Sequence, residues 1–384
     1  MAPERTSLAE LSLLFLRLGS LAFGGPAAHI AMIEDEVVKR RRWLSEPRFL
    51  DLLGAANLIP GPTSTELAIH VGWERRGFVG LVVAGLSFIV PAMLITAAIG
   101  WGYVRYGTLP AVNAVFYGLK PVILAVVVQA IAGLLQKGIR GSRLRVLAAM
   151  GALAAALGVE ELVVLVACGV AAVISSPAAR SRFRSSPAFA PLATLGPAAL
   201  GAGAAQVFTL PSLFWVFLKI GSLLFGSGYV LLAFLRTELV DRLGWLSEAQ
   251  LLDAVAVGQI TPGPVFTTAT FIGYLLGGPS GALVATLGIF LPAFVFVGLS
   301  GPLIPRLRRS AVASAFLDGV SAASLALMVV VTVRLGRAAL IDLPTLLLGV
   351  VSAWVLVRFR PSSSWLVLGG ALAGLALHLL GVAR

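Results

Sequence analysis

Asn57-Leu58-Ile59-Pro60-Gly61-Pro62-Thr63-Ser64-Thr65-Glu66 interrupts an apolar run, and the chain breaks again at Gln259-Ile260-Thr261-Pro262-Gly263-Pro264, one fixed offset later (262 − 60 = 202). Two prolines around a glycine cannot continue a helix, because each proline removes an N–H donor and clashes with the preceding turn. The same offset carries the block FLRLGSLAFG at 15–24 onto FLKIGSLLFG at 217–226, and Trp43-Leu44-Ser45-Glu46 onto Trp245-Leu246-Ser247-Glu248. Three blocks in one register are an internal duplication. In a hydrophobic chain, a duplication with helix breaks at matching places has the pattern of a secondary transporter.

Composition agrees with a membrane setting. The chain is 58% hydrophobic and 12% charged, with a mean hydropathy of +0.97, whereas a soluble domain carries about 25% charged residues. The single cysteine, Cys168, rules out an internal disulfide, and His29, His70 and His378 are too scattered for a metal centre. No cofactor is expected. The net charge of +12 reads as Lys and Arg gathered in cytoplasmic loops rather than as a nucleic-acid surface. The apolar run from Leu11 lacks a basic leader and is read as a retained helix.

Six apolar segments appear in each half, near 11–33, 49–72, 78–101, 112–135, 145–158 and 160–176, then 213–235, 250–276, 281–300, 311–333, 338–357 and 363–381. None alternates like a strand, so the fold class is an all-α integral membrane protein. The Pro-Gly-Pro segment of each half is either a broken spanning helix or a re-entrant hairpin, since unpaired backbone at that depth is tolerated only inside protein or against a watery cavity. The re-entrant reading leaves about five spanning helices per half. It gathers Lys39-Arg40-Arg41-Arg42, Arg75-Arg76 and the 137–145 and 180–184 cations on one face. It also makes the halves inverted-topology repeats: residues 1–176, a cytoplasmic linker at 177–211, and residues 212–384.

An anion site is the chemical reading of the breaks. A helix restarting at Thr63-Ser64-Thr65 aims its positive end and hydroxyl donors at the break, and Thr261, Thr267 and Thr268 repeat the arrangement. The alternative is that each Pro-Gly-Pro only kinks a helix. The pair Phe23-Gly24-Gly25-Pro26 and Phe225-Gly226-Ser227-Gly228 allows unwinding or close helix approach. Intramembrane cations default to function, which marks Lys120 and the equivalent Arg17 and Lys219. Proton-coupling candidates are Glu66, about one turn past the break and without an acidic counterpart, together with Glu36 and His29; His70 could also shuttle protons. The recurring pairs Glu36/Glu238 and Asp51/Asp253 read first as salt bridges or caps, and Ser45 and Ser247 as helix N-caps.

These motifs resemble those of the chromate ion transporters. The resemblance rests on Phe23-Gly24-Gly25-Pro26, the charged stretch to Trp43-Leu44, and Pro60-Gly61-Pro62 with Thr63. It runs across nearly the whole chain and is to the long, two-domain members. It implies a multi-pass protein of the bacterial inner membrane that exports chromate and confers resistance. It also implies coupling to the proton gradient or the membrane potential, with sulfate as a competing analogue. The second copy departs from the pattern at Ser227-Gly228, so the first half is expected to carry more of the recognition. An uncoupled anion channel and a sulfate transporter stand as alternatives, and a homodimer is left open. An enzyme is disfavoured, because no acidic metal cluster or Ser-His-Asp set falls within the apolar segments.

Overall fold

The computed structural model describes residues 6–23, 25–107, 109–138, 141–176, 208–224, 230–300, 310–359 and 363–381. Regular structure among them is entirely helical. The first half contains α1 (Leu8–Leu21), α2 (Gly25–Glu34), α3 (Glu46–Ala56), α4 (Thr63–Tyr106), α5 (Pro110–Gly138), α6 (Ser142–Ala156) and α7 (Glu161–Ser175). The second contains α8 (Leu210–Leu223), α9 (Leu231–Leu235), α10 (Glu248–Ile260), α11 (Thr268–Ser300), α12 (Ala311–Ala339), α13 (Leu343–Phe359) and α14 (Ser363–Leu379). Four of the helices, α4, α5, α11 and α12, are long and apolar enough to cross a membrane.

Residues 11–33, expected as one crossing helix, instead form a hairpin. α1 has 14 residues, a length of about 21 Å, which is short of the roughly 30 Å hydrocarbon core. After the break the chain returns along α1: Arg17 meets Glu36, and Arg41 meets Glu10. α2 runs into a π-helical turn, Asp35–Arg40, and α9 runs into its counterpart, Arg236–Arg242. The second hairpin of the first half has α3 and residues 63–75 as its arms. Arg48 at the start of α3 pairs with Glu74 at the end of the other arm, so both open ends share one mouth and Pro60-Gly61-Pro62 is the tip. Ser45 and Ser247 cap α3 and α10 as the sequence predicts, each accepting a backbone N–H three residues on.

Beyond each hairpin the chain reverses sharply within α4 and within α11. Arg76 and Gly77, and again Gly277 and Gly278, leave helical geometry, with Gly77 at φ 59° and Gly278 at φ 62°. With ψ at −145° and −151°, both glycines sit in a region essentially reserved for glycine, where another residue costs about 1–3 kcal/mol. The limbs then touch backbone to backbone. A Cβ on Gly72 would run into the Gly80 carbonyl, and one on Gly273 into the Gly281 carbonyl. These pairs are 201 residues apart, not 202, so the repeat has lost one residue between the second tip and Gly273.

The long limb of α4 shows how the two halves are set. Its start at Gly80 lies at the mouth of the first hairpin; Ala92 lies beside Gly263, the second tip; Gly100 meets Tyr274 near the second mouth. From 80 to 100 is about 30 Å of helix, so the two mouths open at opposite ends. The halves also exchange partners. α5 packs against α13 and α14, whereas α12 packs against α6 and α7. Glycines make these contacts close: Gly118 faces the Gly370 carbonyl and Gly374, and Gly319 faces the Cys168 carbonyl. The 177–211 linker falls largely outside the described residues. On its flanks the Arg143 side chain donates to the Ser175 carbonyl, and Phe208 meets Trp245 edge to face.

Candidate functional site

The two Pro-Gly-Pro tips are each held by the other half. Gly61 N–H donates to the Leu224 carbonyl at 2.8 Å, and Gly263 N–H donates to the Ala22 carbonyl at 2.9 Å. Leu224 and Ala22 are the C-caps of α8 and α1, whose last carbonyls would otherwise lack partners at a buried depth. The break after α1 and the break after α8 are therefore each satisfied by the Pro-Gly-Pro tip of the other half. The N–H groups of both tip glycines are spent on this docking and are closed to an anion. Gly24, Gly226 and Gly228 lie outside the described residues, while Gly25, at φ 77°, and Pro26 open α2.

What remains at the first tip is richer in donors than at the second. No side chain caps the start of α4; Thr65 and Glu66 N–H bond the Pro62 carbonyl, which leaves Thr63 and Ser64 as the open helix terminus. His29 Nε2 donates to the Ala22 carbonyl at 3.0 Å, so Nδ1 of the neutral ring accepts from Ser64 Oγ at 3.4 Å. The Thr65 hydroxyl is fully buried without a hydrogen-bond partner. In the second copy, the hydroxyls of Thr261, Thr267 and Thr268 all turn back to backbone carbonyls, those of Val257, Pro264 and Val265. Gln259 is buried in α10 just before this tip, and Asn57 is the C-cap of α3 just before the first.

Glu66 is the strongest anomaly in the site. It is 0% exposed, and neither carboxylate oxygen has a hydrogen-bond partner. Its carboxyl lies against Gly61, where a Cβ would collide with Oε1. A buried ionised carboxylate without partners is very costly, so this group demands a proton, a water or a ligand. The positions that replace it in the second copy, Thr267 or Thr268 depending on register, are hydroxyls with local partners.

The cations read as candidate anion ligands are all paired with acids. Arg17 lies 3.7 Å from Glu36, and Lys219 bonds Glu238, so the two equivalent pairs recur at the shared offset. Arg17 also lines a cleft of about 460 Å³ with Asp35, Lys39 and Arg40, away from the tips. Lys120 joins the halves: its Nζ lies 3.0 Å from Asp253 Oδ1, and Tyr103 donates to Asp253 Oδ2 at 2.8 Å. Asp253, which the sequence marks as a salt-bridge or capping acid, is 5% exposed and pairs inside the second hairpin. The structure thus brings Ser64, Thr65, Glu66, His29 and the tips together and leaves Arg17, Lys219 and Lys120 outside that cluster. Recurrence of Arg17/Lys219 beside Glu36/Glu238 was the available sequence signal for those ion pairs.

A duplicated, multi-pass helical membrane protein whose broken helices meet in a buried polar centre has the architecture of a transporter. A family profile described as chromate transporter matches residues 9–173 and again 211–375, and the chain belongs to that family. It is 35% identical to the chromate transport protein of Cupriavidus metallidurans, over 99% of this chain and 95% of the relative. It is 32% identical to a probable chromate transport protein of Synechococcus elongatus, over 96% and 95% respectively. It is 34% identical to the chromate transport protein of Pseudomonas aeruginosa, over 90% and 85%. No solved structure matches the chain.

Proposed function

We propose that the protein moves chromate out across the bacterial inner membrane as a secondary transporter, by alternating access between two inverted repeats, and so confers resistance. The opposed hairpin mouths and the reciprocal tip bonds support inverted, re-entrant segments. The oxyanion binds at the first tip, where the open N-terminus of α4, Ser64 and Thr65 converge. The second tip, whose threonine hydroxyls are locally bonded, braces it. A membrane potential negative inside favours outward movement of a dianion by about 5 kcal/mol per 100 mV, or about 2.3 kcal/mol when the Glu66 proton travels with it and one net charge moves. The single observation that carries the site is the buried, unpartnered carboxyl of Glu66 beside it.

Glu66 ties the proton to the anion. An ionised carboxylate and a dianion at one helix terminus repel each other, so anion affinity falls as Glu66 loses its proton with rising pH. Glu66→Gln is expected to flatten the pH profile of transport while keeping affinity at its low-pH level. An unaltered profile in a folded variant would place the coupling elsewhere. Labelled chromate flux into proteoliposomes, under an imposed pH gradient and separately an imposed potential, with sulfate competing, tests the function itself. Saturable accumulation against a gradient is the expected result; passive equilibration would indicate a channel, and movement of sulfate without chromate would change the substrate.

A further inference from the structure

We propose that His70 and Glu74 carry protons between Glu66 and the mouth of the first hairpin, forming a one-sided relay along residues 63–75; this rests on the proton-coupled reading of Glu66 above. The three residues stand at i, i+4 and i+8, the spacing that places side chains on one stripe of a helix, about 6 Å apart per step. Burial falls along the stripe in the direction a proton must travel. Glu66 is 0% exposed and His70 is 5% exposed, and the Glu74 side chain is 27% exposed at the mouth. His70 Nε2, like both Glu66 oxygens, is buried with no hydrogen-bond partner. Buried polar atoms of this kind hold water where space allows, and an imidazole with a free ring nitrogen can accept a proton on one side and release it on the other.

The second copy argues that the stripe is not a packing accident. At the equivalent level it has Phe271 or Ile272 and then Leu275 or Leu276, in either register. A purely structural stripe would tolerate apolar residues in both halves, whereas a relay is needed in only one. The surroundings leave the path electrically quiet until its outer end. Residues 78–102 of α4 contain no ionisable side chain, and α11 contributes only Tyr274, which lies at the opposite mouth. From α2, His29 bonds Ser64 and Ala22; from α1, Glu10 and Arg17 pair with Arg41 and Glu36. The outer end carries Arg48 and Asp51 of α3, with Arg48 bonded to Glu74, and Arg75 bonded to Thr6 and the Trp43 carbonyl.

The test uses full-length protein in proteoliposomes with an entrapped pH dye, reading chromate-linked proton flux and, separately, equilibrium exchange of labelled chromate. His70→Gln and His70→Leu are expected to lower proton flux about 100-fold, in line with loss of a positioned proton carrier, while chromate exchange stays near the unmodified level. Glu74→Gln should give a smaller loss. Proton flux retained in both His70 variants would overturn the relay. Exchange lost together with proton flux in both His70 variants would also overturn it, assigning His70 to packing. Absence of chromate-linked proton flux in the unmodified protein, with exchange intact, would instead remove the coupled reading on which the relay rests.

Discussion

Lys120→Ala is expected to destabilise the protein by about 3–5 kcal/mol, because it leaves the Asp253 carboxylate buried without its cation. Asp253 is 5% exposed, and its other oxygen is held by Tyr103. The pair joins α5 of the first half to α10 of the second, so its loss weakens the contact between halves rather than one local helix. Thermal unfolding in detergent measures the effect. Asp253→Asn alone should cost less, since an amide can still bond Tyr103 and the lysine head can reach water along its stem. The double variant Lys120→Met with Asp253→Leu should regain most of the stability, as apolar replacement of a buried pair often does. If Lys120→Ala melts like the unmodified protein, the pair is solvated and carries no such weight. The double variant also separates two roles: stability without transport would mark the pair as one that must break and re-form during the cycle.

The sequence shows the duplication because periodic breaks and paired motifs are local signals. Pro60-Gly61-Pro62 and Pro262-Gly263-Pro264 break helices wherever they occur, and Ser45 and Ser247 cap helices for equally local reasons. Which way the chain turns after a break is not local. Residues 11–33 have the hydropathy of one spanning helix, yet Ala22 ends α1 and the chain doubles back so that Arg17 can meet Glu36. Hydropathy cannot tell a crossing from a return of equal apolarity. The site shows the same limit. Glu66 stands out in the sequence as a lone acid past a break, but its missing partners are a three-dimensional fact. Lys120 and Asp253 are 133 positions apart (253 − 120), and no spacing rule within a helix joins them. That the breaks leave backbone groups unpaired was legible, whereas the capture of the tip N–H groups by Ala22 and Leu224 required the halves to be seen together.

Gly263→Ala is expected to abolish transport, and Gly278→Ala to leave most of it. Both glycines have positive φ, 86° and 62°, so alanine carries a conformational penalty at each, about 1–3 kcal/mol. The difference lies in what the added methyl meets. At Gly278 there is nothing within 4 Å. At Gly263 the Cβ would sit 2.5 Å from the Ala92 Cβ and 3.0 Å from the Gly19 carbonyl, so one of two helices must move. Overpacking of this kind adds about 1–3 kcal/mol. The movement pulls the second tip off the Ala22 carbonyl, which also accepts from His29 and so orients the Ser64 side of the first tip. A methyl in one half therefore disturbs the donors in the other. Transport rates of the two variants, normalised to folded protein in the membrane, give the comparison. Equal activity would mean that the crossed tips are a fastening without a part in the site. Loss in Gly263→Ala alone would tie the geometry of the first tip to the bond made by the second.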